Sequence, residues 1–101
     1  MSRNGQAVAF EALAVDSTAG GVGFGTTGLA LIGTRGKVSC RLETAQVRFT
    51  YDGTAPTTTV GTLLEVGELL TVEGYDACAA FRAIRTGGTS GALKCTYEYG
   101  Q

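Results

Sequence analysis

Carboxylates are the groups to which any general acid–base chemistry in this sequence would fall. The 101 residues include no histidine, so neither a Ser-His-Asp nor a Cys-His arrangement can form. The closest carboxylate pairs are Glu65 with Glu68 and Glu73 with Asp76, and each pair flanks a turn, where solvated acids are common. A glycosidase couple needs a deep cleft, which a short chain without tryptophan is poorly suited to build. The sequence therefore predicts a protein that is not an enzyme.

A glycine-rich segment at residues 23–28 formally matches the dinucleotide-binding pattern G-x-G-x-x-G. In such a site the third glycine lies in a helix whose N-terminus holds the pyrophosphate. Only Leu29–Ile32 separate Gly28 from Gly33, so we expect no helix of sufficient length and no cofactor. We interpret the segment as a flexible loop, or as an arm that contacts a neighbouring subunit.

The three cysteines, Cys40, Cys78 and Cys95, show no C-x-x-C spacing. Without histidine they do not make a zinc site, so no metal is expected. Cys40 and Cys95 both lie in the apolar phase of their strands, which leaves a disulfide as one alternative. We favour buried free thiols, because the chain shows no export signal.

The charges are nearly balanced, with eight basic and nine acidic residues and a formal net charge of -1. This balance predicts protein partners rather than nucleic acid or a membrane surface. The longest apolar run, Leu29–Ile32, is too short to cross a bilayer, and Glu11 interrupts any apolar region near the N-terminus. We therefore expect a chain that is made and used in the cytoplasm.

Two neighbouring segments, Val38–Leu42 and Gln46–Asp52, alternate apolar and polar residues in the pattern typical of half-buried strands. A short turn around Thr44 separates them, which predicts a tight hairpin. In that hairpin, apolar residues pair on one face, and Arg41 lies opposite Arg48 on the other. The apolar pairs are Leu42 with Val47, Cys40 with Phe49 and Val38 with Tyr51.

The rest of the chain is rich in threonine, valine and glycine, which favours short strands joined by turns. We predict an all-β fold, an antiparallel β-sandwich of immunoglobulin-like or jelly-roll-like form, with seven or eight strands in one domain over residues 1–101. If the glycine-rich segment forms an arm that contacts neighbouring subunits, this arm lies within residues 1–36. Residues 77–84 fit a strand or a helix. The further predicted strands are Gln6–Val15, a weaker Gly28–Gly33, two between Thr57 and Glu73, and Leu93–Tyr99.

Arginine and lysine residues are the candidate interface residues, because arginine is enriched where proteins bind acidic groups of a partner. The alternative is that these residues only keep the surface soluble. Phe24, an aromatic residue in the glycine-rich segment, joins them as a candidate. The basic candidates are an outer patch of Arg35, Lys37, Arg41 and Arg48, and a second group of Arg82 and Arg85 near another turn.

The segment Val47–Thr57 reads Val-Arg-Phe-Thr-Tyr-Asp-Gly-Thr-Ala-Pro-Thr. It resembles the D-G-T-x-P-T turn of small sandwich domains appended to chitobiase-type enzymes. The longer stretch Glu43–Tyr99, with Thr59–Leu64 and Ala80–Arg85, resembles small virion proteins encoded among the structural genes of tailed bacteriophages. This resemblance implies a capsid decoration or cement protein on the capsid surface. Its implied partners are the major capsid protein and copies of itself, for instance in a trimer.

Two alternatives stay open. A tail, fibre or portal-vertex component would differ from a decoration protein in location and copy number. A carbohydrate-binding module would need exposed aromatic side chains, yet most aromatics here fall in strand phases that point inward. The aromatics predicted to point inward are Phe49, Tyr51, Phe81, Tyr97 and Tyr99, which leaves Phe10, Phe24 and Tyr75.

Overall fold

Alternating apolar side chains along the strands build two antiparallel sheets, as a computed structural model of residues 6–101 describes. The all-β sandwich predicted from the sequence is confirmed, with seven strands in this part of the chain. Two short helices lie outside the sheets. The elements are β1 (Gln6–Val15), α1 (Thr26–Leu29), β2 (Lys37–Glu43), β3 (Val47–Thr50), β4 (Thr62–Leu64), β5 (Leu69–Glu73), α2 (Tyr75–Ala80), β6 (Arg82–Arg85) and β7 (Gly91–Tyr99).

The larger sheet has four strands in the order β1-β7-β2-β5, and the smaller has three in the order β4-β3-β6. Strand β7 lies between β1 and β2 in the larger sheet and pairs with β1 along nearly its whole length. Its inner side chains, Leu93, Cys95 and Tyr97, are all fully buried. Their polar neighbours along the strand face outward, as the period of two in the sequence requires.

The predicted hairpin between β2 and β3 is wrong, because the two strands belong to different sheets. Leu42 pairs with Leu93 of β7, and Val47 pairs with Leu64 of β4. Thr44 has a φ of 79°, and at this residue the chain leaves one sheet for the other. Alternation does not distinguish the two arrangements, since each of them buries the apolar face of both strands.

The consequence for the outer face is that Arg41 does not lie opposite Arg48. Arg41 pairs with Lys94 of β7 on one side and with Leu69 of β5 on the other. Arg48 pairs with Leu63 of β4 and Ile84 of β6.

Two further segments differ from the sequence prediction. Residues 28–33, expected as a weak strand, instead contain the end of the short helix α1. Residues 77–84, left open between helix and strand, contain both: α2 ends at Ala80, and β6 begins at Arg82. Alanine favours the helix, and the extended backbone of Phe81 starts the change to a strand.

The core between the sheets is built around aromatic rings. The rings of Phe24 and Phe81 stack with centroids 4.1 Å apart, and Phe49 and Tyr97 pack beside them at 5.9 and 6.0 Å. Such stacked and edge-on contacts contribute beyond the apolar area that they bury. The predicted inward orientation of Phe49, Phe81 and Tyr97 is confirmed. Tyr51 is 52% exposed, so its predicted orientation is wrong.

Gly36, directly before β2, lies where three parts of the backbone meet. A Cβ atom there would lie 2.1 Å from the carbonyl oxygen of Ile32 and 2.7 Å from that of Glu98. Gly87 has no atom within 4 Å of its equivalent position. The absence of a side chain at Gly36 is therefore a packing requirement.

We predict that Gly36→Ala lowers the free energy of unfolding by about 2 kcal/mol or more, because backbone must move to admit the methyl group. Gly87→Ala is the matched control and should stay within about 0.5 kcal/mol of the wild type. Urea unfolding followed by circular dichroism measures both. Equal stabilities for the two variants would contradict this account of Gly36.

Candidate protein interface

Lys37 and Arg41 lie on the outer face of the four-stranded sheet, in the polar phase of β2. The Lys37 Nζ is 4.0 Å from Oε1 of Glu98. Arg41 is exposed and donates from Nη1 to the carbonyl oxygen of Gly67 at 2.9 Å. Arg35 is exposed in the loop before β2, where its backbone N–H donates to Gly100.

Arg48 lies on the outer face of the other sheet. It donates from Nε to the carbonyl oxygen of Thr58 at 3.0 Å and from Nη1 to that of Gly61 at 2.9 Å. The two bonds hold the guanidinium against the loop between β3 and β4. On either side of Arg48 in the sheet lie Leu63, which is exposed, and Ile84, which is buried. The result is an orientated arginine within an aliphatic row.

The two arginines of β6 differ from each other. Arg82 is exposed and, beside Thr50, extends the face that carries Arg48. It donates from Nη1 to the carbonyl oxygen of Phe81 at 2.6 Å. Arg85 is paired with the buried Val47 and is half-buried itself. Its Nη1 donates to Ser90 Oγ at 3.3 Å, and its buried Nε has no partner within residues 6–101.

The predicted basic patch is thus divided between two faces. Lys37 and Arg41 share the outer face of the four-stranded sheet, whereas Arg48 and Arg82 share that of the three-stranded sheet. The prediction placed Arg41 and Arg48 together because it joined β2 and β3 in one hairpin. Once these strands lie in different sheets, their outward side chains point to opposite sides of the sandwich.

Phe24 is only 6% exposed and stacks on Phe81, so it belongs to the core and does not present a surface to a partner. The segment around it packs on its own domain. Val22 exchanges backbone hydrogen bonds with Ala83 at 2.8 and 2.9 Å. The N-terminus of α1 follows Gly25, but this helix has only four residues.

A hydrogen-bonded cluster that the sequence did not reveal fixes this segment to the larger sheet. The Tyr97 hydroxyl donates to Oε1 of Glu11, and the backbone N–H of Gly25 lies 3.0 Å from both oxygens. Burial, and then the Glu11 carboxylate, raise the pKa of the Tyr97 hydroxyl. The hydroxyl therefore remains a donor, and Oε1 of Glu11 accepts two hydrogen bonds.

Large apolar side chains on the surface are a second feature, of which the sequence prediction left Phe10 outside the inward-pointing aromatics but did not single out Leu69. Phe10 is 65% exposed and Leu69 is 68% exposed. Both lie on edge strands of the four-stranded sheet, β1 and β5. The irregular apolar pattern of Gln6–Val15, with apolar residues in both phases, was the available signal for Phe10. Exposed apolar groups of this size are typical of binding surfaces when they cluster.

The carboxylate pairs lie on the surface. Glu65 and Glu68 flank a turn, and Oε1 of Glu68 accepts the backbone N–H of Glu65 at 2.7 Å. Glu73 and Asp76 line an open depression of about 730 Å³ together with Tyr75. Among residues 6–101 there is no group of three or more Cys, Asp or Glu side chains that could hold a metal ion.

All three cysteines are buried free thiols. Cys40 and Cys95 lie directly opposite each other on β2 and β7, with the Cys40 thiol donating to the Cys95 sulfur at 3.3 Å. Cys78 lies in α2 and donates to the carbonyl oxygen of Val72 at 3.1 Å. Burial raises the pKa of the Cys78 thiol from 9.0 to about 11.

The chain was compared with known proteins at the level of families, individual proteins and structures. No family model matches it, and no curated protein or solved structure matches it either. In the described part of the chain, neither helix has the length and apolar character needed to span a membrane.

We predict that ionisation of the Cys78 thiol lowers the free energy of unfolding at alkaline pH. Because the folded-state pKa is raised, this thiol contributes stability that is complete below pH 9 and is lost as the pH rises through about 11. Cys78→Ala removes this contribution, so its free energy of unfolding should fall less steeply between those values than that of the wild type. Urea unfolding at a series of pH values provides the slopes. Parallel curves for the two proteins would show that Cys78 does not titrate as described.

Proposed function

We propose that this chain is a structural protein of a tailed-bacteriophage virion. The resemblance of Glu43–Tyr99 to such proteins supports this class, and a two-sheet sandwich agrees with it. Within the class, we assign the chain to capsid decoration. It binds subunits of the major capsid protein on the capsid surface, after assembly in the host cytoplasm.

The observation that carries this proposal is Arg48 on the outer face of the three-stranded sheet, between the exposed Leu63 and the buried Ile84. Arginine is enriched at protein interfaces and among the residues that contribute most to binding, and the exposed Leu63 beside Arg48 adds an apolar contact. The guanidinium of Arg48 is already held by Thr58 and Gly61. Binding therefore costs less side-chain entropy than it would for a free arginine.

Decoration requires binding energy and no chemical step. A site made by neighbouring capsid subunits exists only when these subunits are correctly placed, so a ligand of that site stabilises the assembled shell by linkage. The interface should bury about 1,000 Å² or more. Copies that are joined to one another gain further from effective concentration. A rigid sandwich with opposite outer faces suits this role, because one face can bind the shell while the rest remains outside.

We predict that Arg48→Ala reduces binding to undecorated capsids of the encoding phage by about tenfold or more, the range of an interface hot spot. Arg41→Ala is the matched control, since Arg41 also donates to a backbone carbonyl but lies on the other sheet. It should bind as the wild type does. Sedimentation of the purified chain with capsids measures both, with circular dichroism to establish that each variant is folded. Equal binding by both variants would exclude the face that carries Arg48.

The number of copies in purified virions tests the location independently. A decoration protein should be present in numbers comparable to the major capsid protein, as quantitative mass spectrometry would show. A few copies per particle would replace the shell role with a tail, fibre or portal-vertex role.

One observation favours a second candidate, a carbohydrate-binding module. Tyr51 is exposed and, with Asp52 and Thr62, lines an open depression of about 370 Å³ beside the D-G-T-x-P-T turn. An exposed aromatic ring next to polar groups is the arrangement on which sugars stack in such modules. Among residues 6–101, Tyr51 is the one exposed aromatic residue at this depression, because Phe49 beside it is buried, and this makes the candidate secondary.

A glycan array of the isolated chain separates the two candidates. Under the decoration proposal we expect no saccharide signal above background. A signal that is lost in Tyr51→Ala and kept in Tyr75→Ala, another exposed tyrosine, would favour the carbohydrate-binding candidate.

A further inference from the structure

Strand β1 is the longest edge of the molecule within residues 6–101. Its ten residues form one end of the four-stranded sheet and pair only with β7. In this part of the chain, no backbone hydrogen bond outside the sheet ladders begins or ends in Gln6–Val15. Alternate N–H and C=O groups of an edge strand point away from its neighbour. Strand β1 therefore offers a row of backbone donors and acceptors to a further strand.

The other edges are short or covered. The free side of β6 is covered by the chain that follows β1, through Asp16 and Val22, which bond to Arg85 and Ala83. Strand β4 has only three residues, and β5 has five and leads almost directly into α2. Among the strands of residues 6–101, β1 alone combines length with an open edge.

The sequence of β1, Gln-Ala-Val-Ala-Phe-Glu-Ala-Leu-Ala-Val, carries no charged side chain on its outer face. It contains no lysine, arginine or proline, the residues that commonly block pairing with another chain. On its outer face Phe10, Ala12 and Ala14 are all exposed. Its one charged residue, Glu11, points inward and is bound to Tyr97 and Gly25. An apolar open edge of this kind is stable in solution when a partner strand covers it.

We infer that the partner is β1 of a second copy of this chain, paired antiparallel about a two-fold axis at Ala12. A second β1 matches this edge in length, and its outer face is equally apolar and uncharged. The pair joins two four-stranded sheets into one continuous sheet of eight strands. The register shift between Ala7 and Ala9 disturbs the beginning of the strand, so the regular stretch is Ala9–Val15, and Ala12 is its centre.

Charge supports this register. With the axis at Ala12, Glu11 lies opposite Leu13 of the second copy, and Phe10 lies opposite Ala14 of the second copy. An axis at Glu11 would instead place two carboxylates directly opposite each other, which destabilises a strand pair. Phe10 then packs across the axis on an outer face that is otherwise alanine, and its exposed ring becomes covered.

The pair does not depend on the proposed capsid binding, because the face that carries Arg48 belongs to the other sheet. A two-fold contact uses the same edge on both copies and is closed, so it produces a dimer. The trimer expected from the bacteriophage resemblance would not form through this edge.

The test is the mass of the purified full chain in solution, measured by native mass spectrometry and analytical ultracentrifugation in the absence of capsids. We expect twice 10.3 kDa. Ala12→Lys places two ammonium groups at the axis and should give a folded monomer of 10.3 kDa. Thr71→Lys, an exposed position at the centre of the opposite edge strand β5, is the matched control and should remain a dimer.

Cross-linking tests the register. With oxidised glutathione as the oxidant, Ala12→Cys should form a disulfide between two copies, because residue 12 meets its own equivalent at the axis. Ala14→Cys should not, since its neighbour is Phe10 of the second copy. A monomeric wild type, a trimer, a dimer that persists in Ala12→Lys, or cross-linking through residue 14 alone would each overturn the inference. Because no capsid is present, these outcomes do not depend on whether decoration is correct.

Discussion

Strand β7 pairs with a strand on each side and also contributes buried side chains to the core. The rest of the sandwich depends on this double role. It pairs with β1 along one edge and with β2 along the other. Its inner face buries Leu93, Cys95 and Tyr97 completely. The Tyr97 hydroxyl still needs an acceptor in this position, because an unpaired buried hydroxyl costs about 1–3 kcal/mol. Glu11 on β1 supplies that acceptor.

This one hydrogen bond has consequences for the glycine-rich segment. Glu11 and the Tyr97 hydroxyl together accept the N–H of Gly25, which brings α1 down onto the larger sheet. At Gly28 an added Cβ would lie 2.6 Å from the Tyr97 ring, so only glycine fits against it. Phe24 is then placed on Phe81, and the two sheets share one aromatic core. The glycines of this segment thus permit its close packing against Glu11, Tyr97 and Arg82.

The sequence was sufficient to predict the fold class and the strands with a strict period of two, such as β2 and β7. It was insufficient for strand partners, because an alternating strand buries its apolar side in either sheet, and the φ of Thr44 decides which sheet β3 joins. Because β2 and β3 were predicted to form one hairpin, the prediction also failed to divide the basic residues between two faces. Phe24 and Tyr51 were misplaced for a related reason: whether an aromatic beside a turn faces inward depends on contacts such as Phe81 that are distant in sequence.

The first and last strands described here are partners, and this pairing affects how the protein is made. Strand β1 leaves the ribosome before every other described strand, yet its neighbour β7 ends only at Tyr99. The larger sheet cannot close until β7 has been synthesised, since contacts of such long sequence separation form late. During synthesis β1 lies without its neighbour for longer than any other described strand, so both of its edges stay open to aggregation for that time.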